Sequence, residues 1–133
     1  MTLAGFLGSD TRPLAEILED DQNTVNSLGL THEQIAERME YLTREGKRGL
    51  GTTVTVADRF EVRVDDVRGF LPCPWAHIGL HPKTNAYVKN VETGEELMWT
   101  ALSIHLIREH GFYQGRGSPY RLEPAELKRV LCL

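Results

Sequence analysis

The chain has 133 residues, of which 41% are hydrophobic and 26% are charged. This length suits a single domain, and the composition is that of a globular protein, which excludes disordered and fibrous classes. The formal net charge of −4 disfavours nucleic-acid binding, because proteins that bind phosphate backbones usually carry a basic excess. Residues 51–133 nevertheless hold ten acidic and ten basic residues, which leaves room for a local basic patch there.

The first stretch of the chain has an apolar start but no basic flank, so it does not resemble a signal peptide. No apolar run reaches the roughly 20 residues that a membrane-spanning helix needs. We therefore expect a cytoplasmic protein that does not enter the membrane. Its cysteines, Cys73 and Cys132, are too few for a disulfide framework and are expected to be free thiols.

The first predicted helix follows a loose start over residues 1–9. Pro13 suits the first turn of a helix, and apolar residues then recur at helical spacing from Leu14 to Leu28. Gly29 is a suitable end, because glycine readily adopts the left-handed conformation that closes a helix.

A second helix is predicted from Thr31 to Gly46. Thr31 and Gln34 have the spacing of a capping box, in which each side chain bonds an exposed backbone amide. The spacing of the two helices is compatible with a DNA-binding helix-turn-helix and with a plain antiparallel pair that covers a sheet. Because the second helix displays glutamates that phosphates would repel, we favour the second reading.

From Thr52 the hydrophobic pattern changes to a period of two, which indicates strands. Residues 52–56 and 60–64 predict a hairpin, and residues 67–71 a further short strand that proline ends. Residues 78–84 contain a glycine and a proline and are predicted to be a loop.

A second hairpin is predicted from residues 86–91 and 95–99, with Gly94 supplying the positive φ of its turn. Residues 100–110 follow as a helix that is apolar around much of its circumference, which indicates heavy burial. Gly111 is its natural cap. Residues 120–122 suggest a short strand, and Pro124 begins a last helix that extends to Val130.

These elements predict one α+β domain over residues 1–133. Residues 1–50 form its helical N-terminal part, and residues 51–133 form the sheet with its helices. The sheet is expected to be antiparallel and built from two hairpins, with one buried helix and a short C-terminal helix packed on it.

The first functional hypothesis is a metal site made by Cys73, His77, His105 and His110. Cys73 and His77 have the spacing Cys-x3-His, and the other two histidines lie at the end of one helix. Thiolate and imidazole ligands together favour zinc, and His81 is a substitute ligand. The alternative is that Cys73 is a small buried hydrophobic residue, His105 a hydrogen-bonded core residue and His110 a helix-end cap.

The spacing of the helical histidines argues against a four-ligand site. Residues five apart on a regular helix diverge by about 140° around its axis, so His105 and His110 would bind one ion only if the helix unwound at Gly111. A three-residue site of Cys73, His77 and His105 is therefore favoured.

The second hypothesis is a small hydrolase or transferase. Cys73 would be the nucleophile, with His77 or His105 as the base and Glu109 or Asp66 orienting it. The catalytic candidates are thus Cys73 and His105. No family signature surrounds the cysteine, so the balance favours a protein that is not an enzyme.

The third hypothesis concerns the loop at residues 115–121. A phosphate or carboxylate group suits the guanidiniums of Arg116 and Arg121 and the hydroxyl of Ser118. Tyr120 or Tyr113 could stack on a base or ring. The alternative is a solvated turn whose Arg121 pairs with an acidic neighbour.

Taken together, the sequence favours a non-enzymatic binding or regulatory module with a Cys/His zinc site. Its partner would be a protein or a small anionic ligand. The alternatives are a cysteine- and histidine-dependent enzyme and a protein that binds nucleic acid or phosphate groups through the 115–121 loop.

Overall fold

A computed structural model describes residues 3–75 and 80–133. In chain order its elements are α1 (Leu3–Leu7), α2 (Leu14–Ser27), α3 (His32–Gly46), a 3-10 turn (Lys47–Gly49), β1 (Val54–Val56), β2 (Phe60–Pro72), β3 (Leu80–Asn90), β4 (Glu96–Thr100), α4 (Ala101–His110) and α5 (Pro124–Val130). The fold is α+β, as predicted, because helices pack against an antiparallel sheet.

The helix α3 begins with the predicted capping box. The amide of Gln34 donates to Thr31 Oγ1 at 3.1 Å, and the amide of Thr31 donates to Gln34 Oε1 at 2.9 Å. The helix ends at Gly46, where it lies so close to the sheet that a Cβ atom would collide with Val62 and Val64. Thus α3 covers the sheet, whereas α2 contacts α5.

The described strands form one antiparallel sheet in the order β1-β2-β3-β4. The two predicted hairpins are confirmed: Val56 pairs with Phe60 at the end of the first, and the second pairs β3 with β4. Gly94 has a φ of 76° in the turn of the second hairpin. This positive φ is the conformation for which glycine was predicted there.

The two central strands are longer than predicted. The expected short strand at residues 67–71 is the continuation of β2, and most of the expected loop at residues 78–84 belongs to β3. In the region of Pro72 and Pro82, β2 and β3 pair only with each other, because β1 and β4 pair with the opposite ends of these strands. This region is therefore a two-stranded ribbon, and both prolines lie on its edges. Proline is compatible with such an edge position, where no ladder hydrogen bond is needed.

A bulge divides this ribbon from the rest of the sheet. The register shifts between Val67 and Phe70, and Gly69 within the shift has a φ of 108°. On the side of the bulge where β3 also pairs with β4, the even-numbered residues of β3 from Thr84 to Asn90 are buried. Beyond it Leu80 is 62% exposed and His81 is half-buried. Because a bulge increases strand twist, the far end of the ribbon presents its opposite face to the body of the protein.

We call this far end, residues 70–75 and 80–82, the outer arm. It packs over a second, smaller core cluster, which also holds Phe6 of α1, Ile17 of α2 and Leu102 of α4. The larger cluster lies between α3, the sheet, α4 and α5. In it Trp99 Nε1 donates to Thr43 Oγ1 at 2.9 Å.

Two further expectations are corrected. Residues 3–7 form a helix instead of a loose start, and residues 120–122 are not a strand. The helix α1 is stabilised by tertiary contact near its end, since Phe6 is buried and its carbonyl accepts from the Gly115 amide at 2.8 Å. None of the helices within the described ranges is long and apolar enough to cross a membrane.

Candidate metal centre

Cys73 lies directly after β2, at the inner side of the outer arm. Its side chain is only 3% exposed, and it packs with Leu102 and Leu106 of α4. Pro72 ends the strand before it, and Pro74 follows it. Both cysteines carry free thiols, as expected. The thiol of Cys73 therefore faces the helix that carries the two predicted histidine ligands.

The helix α4 begins and ends with local signals. Thr100 and Ser103 form a capping box at its start, and Gly111 closes it with a φ of 60°. His105 lies in the middle of the helix and is half-buried, and His110 is its last residue. The predicted cap at Gly111 is confirmed, so the helix ends at a defined point directly after His110.

The rings of His105 and His110 do not diverge as expected. Their centroids are 5.4 Å apart with the ring planes at 77°, and the helix does not unwind between them. Helical side chains lean toward the N-terminus and cover the preceding turn. His110 can therefore reach back toward His105. The angle of about 140° between the two residues describes only their Cα positions and does not include this lean of the side chain.

Three side chains come together to form the candidate centre: Cys73, His105 and His110. Their ligand atoms all lie within 4.8 Å of one another, close enough to hold one metal ion. Cys73 Sγ lies 3.4 Å from His110 Nε2. A sulfur and a nitrogen on a tetrahedral zinc ion would be about 3.5 Å apart, given Zn–S and Zn–N bonds of about 2.3 and 2.0 Å. This pair already has the required separation, and a separation of 4.8 Å within the group would have to shorten by about 1.3 Å.

Aromatic and imidazole rings surround the three ligands. Trp75 stacks on His110 with the centroids 4.3 Å apart and the planes at 9°, and it also contacts Phe112 in a T-shaped arrangement with the centroids 5.2 Å apart. The ring of His81 lies 4.2 Å from that of His105. Trp75 thus packs against one candidate ligand, His110, and His81 lies beside another, His105.

The remaining predicted site residues fall in different places. His77 lies outside the described residues. Glu109 is exposed on α4, and Asp66 on β2 accepts a hydrogen bond from Thr84 Oγ1 at 3.0 Å. The imidazole beside Cys73 is that of His110, which had been predicted as a metal ligand and not as a catalytic base.

The 115–121 loop is held by internal contacts. The guanidinium of Arg121 forms a buried ion pair with Asp21, the hydroxyl of buried Ser118 donates to Gln114 at 2.8 Å, and the amide of Arg116 donates to Asp10 at 3.0 Å. The ion pair of Arg121 agrees with the alternative hypothesis, in which Arg121 pairs with an acidic residue. Binding of an anion by Arg116, Ser118 and Arg121 stays a prediction, and it would have to compete with these contacts.

The sequence reading missed the ring stack of Trp75 on His110. Trp75 is half-buried and is not among the predicted site residues. The sequence offered no signal for this stack beyond the position of Trp75 two residues after Cys73. The chain matches no protein-family model, and neither curated proteins nor solved structures give a match.

Proposed function

We propose that this protein is a zinc-binding module whose ion is held by Cys73, His105 and His110. The observation that carries the proposal is that the ligand atoms of these three residues lie within 4.8 Å of one another. One thiolate and two imidazoles form a ligand set that suits zinc better than the hard cations, which prefer oxygen.

The surroundings favour a structural ion over a catalytic one. Cys73 is buried in the smaller core cluster, and the site joins the outer arm to α4. A structural zinc takes four protein ligands, whereas a catalytic zinc keeps one position for water. His81, whose ring lies 4.2 Å from that of His105, is the proposed fourth ligand, and His77 is its alternative.

Metal content tests the proposal. Protein purified without a histidine tag and measured by plasma mass spectrometry should carry about one zinc ion per chain. The variants Cys73→Ser, His105→Ala and His110→Ala should each lose most of it. His32→Gln is the matched control, because His32 bonds to Tyr113 and Gln22 instead. Native protein that takes up no zinc, even after incubation with the metal, would contradict the proposal.

The fourth ligand can be identified separately. Cobalt substituted for zinc gives visible absorption bands whose intensity reports four-coordinate geometry. If His81 is the ligand, His81→Ala should open a position that added azide occupies, and azide should leave the spectrum of the native protein unchanged. A native spectrum that responds to azide would instead indicate an open, catalytic type of site.

A second candidate function is a cysteine-dependent enzyme, and the contact of Cys73 Sγ with His110 Nε2 at 3.4 Å favours it. Such a pair can produce a reactive thiolate. With the metal removed, an enzyme of this kind should react with iodoacetamide at Cys73 faster than a free thiol does, and His110→Ala should abolish the difference. A rate no faster than that of a free thiol would exclude this candidate.

A further inference from the structure

A cavity of about 360 Å³ lies beside the start of α4, and the metal centre does not account for it. Its apolar walls come from four separate parts of the fold: Phe6, Leu71, Leu102 and Tyr120. Small-molecule sites usually have volumes of roughly 300–1,000 Å³ and mostly apolar walls with a few polar groups. The cavity therefore has the size and lining of a site for a small ligand.

The polar side chains that line the cavity are Lys83, Asn85, Thr100 and Gln114, besides the hydroxyl of Tyr120. Within the described residues, no carboxylate lies in ion-pair distance of the Lys83 ammonium, and the Asn85 amide makes no side-chain hydrogen bond. Lys83 and Asn85 are two apart on β3, so they project from the same face of the strand. One cation and one amide donor thus line the same wall.

Gln114 adds a third group, and its position is fixed. It is 4% exposed and has a φ of 69°, which is unusual for a residue other than glycine. Its backbone carbonyl accepts from Arg121 Nη1 at 2.8 Å, and its Oε1 accepts from Ser118 Oγ at 2.8 Å. Because Gln114 Oε1 already accepts from Ser118, the Nε2–H groups of Gln114 are the groups that can donate to a ligand.

We propose that this cavity binds a small apolar monocarboxylate. The apolar body of the ligand would lie against Phe6, Leu71 and Leu102, and its carboxylate would bind the Lys83 ammonium with the Asn85 and Gln114 amides. A single lysine balances one negative charge, which favours a carboxylate over a dianionic phosphate. This ligand site is independent of the proposed zinc site.

Calorimetry on the full chain tests the proposal with octanoate, octanol and octyl phosphate as probes. Octanoate should bind with a Kd below about 1 mM and more tightly than either of the other two. Lys83→Met should weaken octanoate binding at least about tenfold, because a charge-assisted contact is lost, and should leave octanol binding unchanged. Lys89→Met is the matched control, since Lys89 lies on the same face of β3 outside this cavity.

A second variant blocks the space and keeps the charge. An added Cβ at Gly5 would meet nothing within 4 Å, and Gly5 lines the cavity. Gly5→Leu should therefore abolish octanoate and octanol binding while the thermal midpoint is kept. The proposal is overturned if octanoate does not bind, if octyl phosphate binds more tightly, or if Lys83→Met binds octanoate as well as the native protein does.

Discussion

Arg121 and Asp21 form an ion pair in which both side chains are almost fully buried, 8% and 5% exposed. Nη1 and Nη2 of Arg121 donate to the two carboxylate oxygens at 2.6 and 2.9 Å. Burial alone would lower the pKa of Arg121, but the hydrogen bonds to Asp21 and Glu123 outweigh it and raise that pKa above its usual value. The pair joins α2 to the loop that follows α4.

Removing one partner of this pair should be costly. We expect Asp21→Asn to lower the free energy of unfolding by about 3 kcal/mol, because the buried guanidinium loses its buried counter-charge and keeps only the more exposed Glu123 carboxylate. Urea denaturation followed by circular dichroism measures this. Glu19→Ala, an exposed change on the same helix, should alter the stability by no more than about 0.5 kcal/mol. Equal effects of the two changes would show that the buried pair is not a main source of stability.

His32 should make the stability depend on pH. Burial lowers its pKa from the ordinary 6.5, and this outweighs the raising effect of the Asp21 charge. In the neutral ring Nε2–H donates to Gln22 Oε1 at 2.7 Å, and Nδ1 accepts from the Tyr113 hydroxyl at 2.8 Å. Because the folded state binds this proton less readily, stability is lost as the pH falls below about 6.5.

The variant His32→Gln isolates this contribution. The free energy of unfolding should fall less steeply between about pH 7 and pH 5 in the variant than in the native protein. Because the histidines of the metal centre are present in both proteins, their titration cancels in the comparison. Parallel curves would contradict the assigned role of His32.

At the scale of elements, the bulge at Gly69 decides where the outer arm lies. The conformation of Gly69, with a φ of 108°, is one that L side chains rarely adopt. Beyond it, Leu71 and His81 pair across the two strands and face inward, and Cys73 follows two residues later. The bulge therefore orients the part of the chain that carries Cys73, the proposed thiol ligand.

We expect Gly69→Ala to weaken zinc binding about tenfold, the lower end of the range for changes in the residues that orient ligands. Competition with a chromogenic chelator measures the affinity. Gly94→Ala is the matched control: its φ is 76° and a Cβ would meet nothing within 4 Å, but it lies in the β3–β4 turn. Both changes should cost about 1–2 kcal/mol of stability, and only the first should affect zinc. Equal zinc affinities would contradict the orienting role of the bulge.

For the whole molecule, the proposed zinc ion would tie distant parts of the chain together. Cys73 and His110 are 37 residues apart in sequence, and the smaller core cluster around them includes residues of α1 and α2. A ligand that binds only the folded state stabilises it by mass action. The metal should therefore stabilise the fold as a whole.

At a free zinc concentration of 100 times the Kd, the free energy of unfolding should rise by about 2.7 kcal/mol. Thermal denaturation with and without a chelator measures the change. In Cys73→Ser the two curves should coincide. A chelator that leaves the native midpoint unchanged would show that metal binding and folding are not coupled.

Much of the local structure could be predicted from the sequence because its causes lie within a few residues of one another. The Thr31–Gln34 capping box, the Gly94 turn and the Gly111 helix end are all confirmed, and each depends on a side chain and the backbone next to it. The alternation of apolar residues likewise predicted both hairpins. The ligand types were also visible as a Cys/His group.

Only the tertiary structure decided which of those residues meet. The contact of Cys73 with His110 depends on the bulge at Gly69, on cross-strand pairing that extends β2 to Pro72, and on the backward lean of His110 along α4. Each of these arises from interactions between residues far apart in sequence, where local propensity and helical angles carry no information. By itself the sequence determined the helices, the strands and the types of reactive side chain that are present. Long-range pairing and burial decided which of these side chains come together.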